Sequence, residues 1–308
     1  MAQKTAISEV YIEKDYWLTR SLQRLSQNPN ADKVVFKGGT ALSKVRLTNR
    51  FSEDIDIAVI GASSFSGNQL KMLIKRLAKD MAVDLEEKVV QGVTSKGSKF
   101  YKAVYLYPNL VGQKAKTAVK SGQLLIEINS FANPYPYQKQ QITSFVSDYL
   151  LKLERQDLIE KYNLLPFSVN VLDKHRTMLE KLVSLLRFSF SKNPKAELAK
   201  KIRHFYDLYY LLNDEECAKY VQSVVFRKDL QELFAHDQQE FDEPDNWQTK
   251  MIKESPLLVD FPDIWASLRI TYQNELSNLA FAEIPDEKDV EKNVQQIVDI
   301  VAILKDMK

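Results

Sequence analysis

Two aspartates, Asp54 and Asp56, stand one residue apart in the stretch Arg50 to Ile60, RFSEDIDIAVI, at the mouth of an apolar, β-branched run. Residues i and i+2 of a strand point to the same face, so the two carboxylates project together while Ile55, Ile57 and Val59 point to the other side. Side by side, each acid makes the other harder to ionise unless a positive charge lies between them. Magnesium suits that place, because it takes oxygen ligands and keeps waters and substrate phosphates in its shell. Glu127, a lone acid inside the apolar run LLIEINSF, is the third candidate ligand. Two readings of Glu127 are open, a metal ligand or the polar position of an amphipathic strand.

Upstream, the short apolar run DKVVF leads into Lys37-Gly38-Gly39-Thr40 and then ALSKV. That order predicts a strand, a glycine turn and the first turns of a helix. Glycines let a backbone approach an anion closely, and a helix start presents free N–H groups. A Gly-Gly pair between strand and helix is also a common tight turn, so its weight comes from the Asp-X-Asp strand that follows. Further along, Arg203 and Asp207 lie one turn apart in KIRHFYDLYYLL, amid tyrosines and leucines where a charge without a partner is costly.

The elements that must hold these residues follow from the apolar spacing. A helix is expected over Ser8 to Gln27, strands over Asp32 to Phe36 and Asp54 to Ile60, and a crossover helix over Asn68 to Ala82. Three more strands are expected at Leu85 to Gln91, Phe100 to Leu106 and Leu124 to Phe131. Residues 1–135 thus read as an α/β unit. Residues 136–308 read as a mostly helical domain, with helices from Val171 to Phe188, Lys195 to Leu212, Glu215 to Phe234, Pro262 to Leu279 and Glu287 to Lys305. The segment His236 to Trp247 reads as an acidic surface loop.

Composition narrows the chemistry. The chain of 308 residues is 44% hydrophobic and 27% charged, the profile of a folded soluble protein with room for two lobes. No run is apolar enough to span a membrane, and MAQKTAISEV lacks the apolar core of a signal peptide, so a cytoplasmic location is expected. A single cysteine, Cys217, excludes an internal disulfide and a Cys-X-X-Cys site. The three histidines show no ligand spacing, and neither a Walker A nor a Gly-X-Ser-X-Gly pattern occurs. The formal charge of +2 is nearly neutral, yet no acid occurs between Glu87 and Glu127. Lys96, Lys99, Lys102, Lys114 and Lys116 fall in that interval among Phe100, Tyr101, Tyr105 and Tyr107. This segment is either an RNA surface or a hairpin whose lysines protect a sheet edge.

Taken together, KGGTALSK, RFSEDIDI, EKDYWL, LLIEINSF, HRTMLEKLVSLLR and RHFYDLY resemble the AbiEii/AbiGii family of nucleotidyltransferase toxins, the toxin halves of bacterial toxin–antitoxin and phage-defence pairs. The matching pieces reach from near the N-terminus to about residue 210. The resemblance implies a polymerase-β-like nucleotidyltransferase core of α/β (α+β) class, a mixed sheet with flanking helices, followed by a mostly helical C-terminal lobe. It implies Asp54, Asp56 and Glu127 as ligands of magnesium, two ions in the usual scheme, and Lys37, Gly38, Gly39, Thr40 and Arg203 as nucleotide-binding residues. By motif position Lys181 and Asp207 join the catalytic set. Two departures stand out. Gly39-Thr40 replaces the common Gly-Ser, and His204 occupies the place of the first acid in Arg-Asp-X-X-Asp.

The activity the resemblance implies is transfer of a nucleoside monophosphate from an NTP to RNA, at the tRNA 3′ end, which would stop translation, with an antitoxin encoded separately. Transfer to a protein or small-molecule hydroxyl, and a non-catalytic NTP-binding module, are the alternatives. Salt-insensitive activity would mark the former, and binding without turnover the latter.

Overall fold

The structure, a computed structural model, describes residues 1–5, 7–112 and 120–303. The chain divides into two compact units, Met1–Asp173 and Lys174–Lys308.

The first unit is built on a mixed sheet in the order β3-β5-β6-β2-β1-β8-β7, with the short β4 also paired to β5. Its strands are β1 (Val34–Lys37), β2 (Asp54–Val59), β3 (Glu86–Lys88), β4 (Ser95–Lys96), β5 (Phe100–Leu106), β6 (Gln123–Asn129), β7 (Tyr137–Ile142) and β8 (Phe167–Leu172). Helices α1 (Ala2–Thr5), α2 (Glu9–Ser26), α3 (Gly38–Lys44), α4 (Gly67–Met81), α5 (Phe145–Lys152) and α6 (Gln156–Lys161) accompany it. β2 runs antiparallel to β1 and parallel to β6, and β1 runs parallel to β8.

Register explains how one sheet serves two purposes. One row across it reads Val171, Phe36, Ile57, Ile128 and Tyr101, all buried in the core against Leu18 and Leu22 of α2 and Leu73, Ile74 and Leu77 of α4. The pleat turns the adjacent row, Lys37, Asp56, Glu127 and Lys102, to the opposite face. Apolar burial therefore fixes the register, and a slip of one residue would send the acids into the core.

The expected boundary at residue 135 differs from the one observed after Asp173. β7 and β8 complete the sheet, with β8 paired to β1, and so bring residues 137–172 into the first unit. The edge strand β7 reads YQKQQI and is largely polar, which hides it from a search for apolar alternation.

The second unit is helical among the described residues: α7 (Lys174–Ser189), α8 (Pro194–Ala199), α9 (Ile202–Leu212), α10 (Glu215–Val221), α11 (Val224–Glu240), α12 (Pro256–Val259), α13 (Phe261–Leu279) and α14 (Glu287–Ile303). Its centre includes Phe205, whose ring lies 5.5 Å from that of Trp265. Two helices expected to be continuous are broken, at Lys200–Lys201 and at Gln222–Ser223. Ser223 caps the second break by accepting the Phe226 N–H at 3.1 Å. The expected loop from His236 begins inside α11, and Trp247 at its end is fully buried rather than at the surface.

Two successive charges on α2 tie the first unit together. Apolar spacing puts Lys14 and Asp15 on the buried stripe, one turn from Val10, Tyr11 and Leu18. Lys14 donates to Glu53 Oε1 at 3.0 Å and to the Lys120 carbonyl at 3.1 Å. Asp15 pairs with Lys44 at the end of α3, and its other oxygen accepts the Phe145 N–H at 2.7 Å. Burial pushes the Lys44 ammonium below its ordinary pKa, against the pull of Asp15. Removing one member of such a pair strands the other charge, so Asp15→Ala is expected to cost about 3–5 kcal/mol in urea unfolding at neutral pH. Asp15→Asn, which keeps an acceptor for Phe145, should cost less.

Candidate active site

Sequence places Asp54 at the first position of β2 and Asp56 two residues on, both half-buried and alternating with the buried Ile55 and Ile57. The Asp54 carboxyl is pushed up to about 6, first by burial and then by the charges of Glu127 and Glu53, against smaller pulls from Lys14 and Lys102. Burial is thus the main reason this carboxyl resists ionisation, and the neighbouring acids add to it.

The glycine turn is fitted to the acid pair. Gly38 has φ +81°, and a Cβ there would overlap the Oδ2 atom of Asp56. A Cβ on Gly39 would overlap the guanidinium of Arg50, a buried residue that also donates to its neighbour's carbonyl at 3.2 Å. The close approach of both groups requires the two glycines. Thr40 differs from its expected role, because its buried hydroxyl donates to the main-chain carbonyl of Asp54 and so fastens α3 to β2 rather than facing a phosphate. Lys37 lies opposite Asp56 in the strand register.

Glu127 is the register neighbour of Asp56, but its carboxylate meets Lys102 Nζ at 2.5 Å. Among the described residues no group of three or more His, Cys, Asp or Glu side chains is gathered to hold a metal ion. The expected three-acid cluster is therefore not assembled, since a lysine stands as the counter-charge of the third acid. The two aspartates fit a divalent cation nonetheless: two carboxylates share one face of β2, beside a turn whose missing Cβ atoms leave room for the Asp56 carboxylate.

Of the expected RNA-contacting lysines, Lys102 is a counter-ion inside the acid row. Lys96 of β4 pairs with Glu87 of β3, the two strands lying one after the other along the same edge of β5, and Lys99 is exposed. Lys114 and Lys116 lie outside the described residues.

Within the second unit, Lys181 Nζ meets Asp207 at 2.6 Å, with both side chains buried. Asp207 thus holds Lys181, while Arg203 faces Glu275 at 3.6 Å from a half-exposed position. Sequence reading assigned no role to Lys14, Asp15, Lys44, Glu53 or Arg50. The signal for the first two was a charged pair on an apolar helical stripe.

A glycine turn seated against an Asp-X-Asp strand in a mixed sheet is the arrangement of a nucleotidyltransferase core. The family model described as Nucleotidyl transferase AbiEii toxin, Type IV TA system, matches residues 20–299, and the chain belongs to that family. It is a toxin nucleotidyltransferase. No curated protein sequence matches it. Similar solved structures include a candidate nucleotidyltransferase from Helicobacter pylori, at 15% identity and TM-score 0.49, covering 98% of this chain and 99% of that one. JHP933 from Helicobacter pylori also has 15% identity, with TM-score 0.46 and coverages of 96% and 94%. MenT4, a nucleotidyltransferase toxin from Mycobacterium tuberculosis, has 15% identity, TM-score 0.45 and coverages of 96% and 92%.

Two outcomes follow from the geometry. The first concerns Asp54, whose folded pKa of about 6 exceeds the ordinary value of 3.8. Between those values the folded chain keeps a proton that the unfolded chain has lost, so stability falls as pH rises through this window and stays low above it. The full penalty is about 3 kcal/mol. Asp54→Asn should therefore stabilise the protein by up to that amount at pH 7.5 and by almost nothing at pH 4, read by urea unfolding at both. The second concerns Gly38→Ala, where a left-handed backbone costs about 1–2 kcal/mol and the new Cβ displaces Asp56. Thermal unfolding should show the loss, and nucleotidyl transfer should fall further than stability explains.

Proposed function

We propose that this toxin transfers a nucleoside monophosphate from an NTP to a hydroxyl of RNA, at the 3′ end of tRNA, and so arrests translation. The observation that carries the reading is the Asp54–Asp56 pair on one face of β2, seated beside a glycine turn shaped around Asp56. A carboxylate pair that can hold a cation fits the use of metal-bound triphosphate. The lysine-bearing hairpin of β3, β4 and β5 supplies the acceptor side, since phosphate contacts dominate RNA affinity.

In this mechanism the Gly38–Gly39 turn lets the triphosphate approach the main chain, with Lys37 at its edge. Asp54 and Asp56 would hold magnesium, and Glu127 would join them by exchanging Lys102 for the cation. Bound magnesium supplies charge neutralisation for the acids and the triphosphate. The acceptor hydroxyl forms the new bond to the α-phosphorus, the bond to the bridging oxygen breaks, and pyrophosphate leaves with the electron pair. The hydroxyl proton passes to a carboxylate oxygen of the acid face, where Glu127 orients the hydroxyl. In the second unit we assign Lys181, held by Asp207, and Arg203 to contacts with nucleotide phosphate.

A cognate antitoxin, a cytoplasmic site of action and a part in phage defence belong to the same reading. The chain has no helix, among the described residues, that is long and apolar enough to cross a membrane.

Incubation with total tRNA, magnesium and each α-labelled NTP should put label into RNA on a denaturing gel, with one nucleotide preferred. Asp56→Ala should reduce it by about 100-fold or more. Label in protein or in a small molecule, or nucleotide binding without transfer, would overturn the RNA assignment.

A further inference from the structure

A cavity of about 130 Å³ opens beside Asp54. Leu125 of β6, Val104 of β5, Val90 and Val93 are its apolar lining, and Lys14, Glu53 and Lys120 line it as charged groups. In the register Asp54 lies beside Leu125, and Leu125 beside Val104, so all three share the acid-bearing face of the sheet. The Val90–Val93 segment is an ordered turn: Val93 N–H donates to the Val90 carbonyl at 3.1 Å, and Thr94 Oγ1 accepts the Val90 N–H at 2.9 Å. Lys120 is pinned through its main chain, donating to Glu53 Oε1 at 2.7 Å and accepting from Lys14. Its side chain is exposed.

Position decides what such a cavity can hold. The glycine turn follows β1 on one flank of β2, whereas Leu125 and Val104 of the cavity belong to β6 and β5 on the other flank. In-line displacement places the entering and leaving oxygens on opposite sides of the phosphorus. With the triphosphate on the turn, pyrophosphate leaves on the β1 side and the acceptor hydroxyl enters from the side of the cavity. The volume is well below the roughly 300 Å³ at which pockets for drug-sized ligands begin, so it admits about one ring. The apolar lining suits the faces of a sugar or base, and Lys120 suits its phosphate.

We propose that this cavity is the acceptor subsite, which seats the terminal nucleoside of the RNA between Leu125, Val104 and the Val90–Val93 turn and presents its hydroxyl beside Asp54. The inference rests on the RNA-acceptor reading above and adds the place and the residues that select the acceptor. Lys120 holds the phosphate that links the terminal nucleoside to the one before it.

The test uses the full chain with total tRNA as the probe. Leu125→Trp fills the cavity and should raise KM for tRNA by about tenfold, the loss expected for one ring contact, with NTP affinity by calorimetry unchanged within about twofold. Val93→Ser, in an exposed turn that tolerates change, should raise the same KM by less, and Lys120→Ala should weaken its salt dependence. Loss of NTP affinity in the first two variants would give the cavity to the incoming nucleotide and overturn the proposal. An unchanged KM for tRNA in Val93→Ser and Lys120→Ala would overturn it too. Failure of the unaltered protein to label tRNA would reject the RNA reading itself, and this subsite with it, independently of any variant.

Discussion

The structure of the first unit turns on where its positive charges are spent. Glu53, Asp54, Asp56 and Glu127 crowd one end of β2 and β6, and the basic side chains around them are placed to limit the cost. Lys14 answers Glu53 and Lys102 answers Glu127, so the outer acids each have a lysine. Asp54 between them keeps a carboxyl that resists ionisation. Burial and the neighbouring acids both disfavour its charged form, and an added cation would offset that cost. A fold optimised for stability alone would have replaced Asp54 with an amide, and retaining the acid is a sign that the position serves chemistry.

Helix α2 gives this arrangement its rigidity. Glu13 accepts the Leu110 N–H at 2.7 Å, Lys14 reaches the loop before β2, and Asp15 reaches α3 and the start of α5. Three neighbouring side chains therefore fix segments that are far apart in sequence, from residue 44 to residue 145. Aromatic packing supports the same junction, with the rings of Tyr11 and Phe51 stacked at 3.8 Å. The acids can be held together against their repulsion because Asp54, Asp56 and Glu127 sit on paired strands and the loop that carries Glu53 is tied down by Lys14.

Much of this was legible. The alternation in DIDIAV placed Asp54 and Asp56 on one face, and the observed strand begins at Asp54. Phe100–Leu106 is a strand with the expected ends, because its aromatic and β-branched residues alternate clearly. What escaped was every feature set by a partner distant in sequence. β7 is polar because it lies at an edge, and its identity as a strand comes from pairing with β8. Glu127 was recognised as an isolated acid in an apolar strand, but whether it faces a metal or a lysine depends on register with β5. The hydroxyl of Thr40 is consumed by a carbonyl fourteen residues away. Local pattern names the residues that can do chemistry, and pairing across the sheet decides which of them are free to do it.

The two ion pairs assigned to the reaction show the same distinction. Lys102 and Glu127 are partly open to solvent, so exchanging the lysine for a cation costs less than parting a fully buried pair. Lys181 and Asp207 are shut away, and Asp207 is fully buried, so separating them would expose each to a large desolvation penalty. In the proposed role Lys181 would keep Asp207 attached, the carboxylate holding the ammonium in place. A lysine held in this way is fixed within its own unit, and fixed charge of that kind loses little to reorganisation.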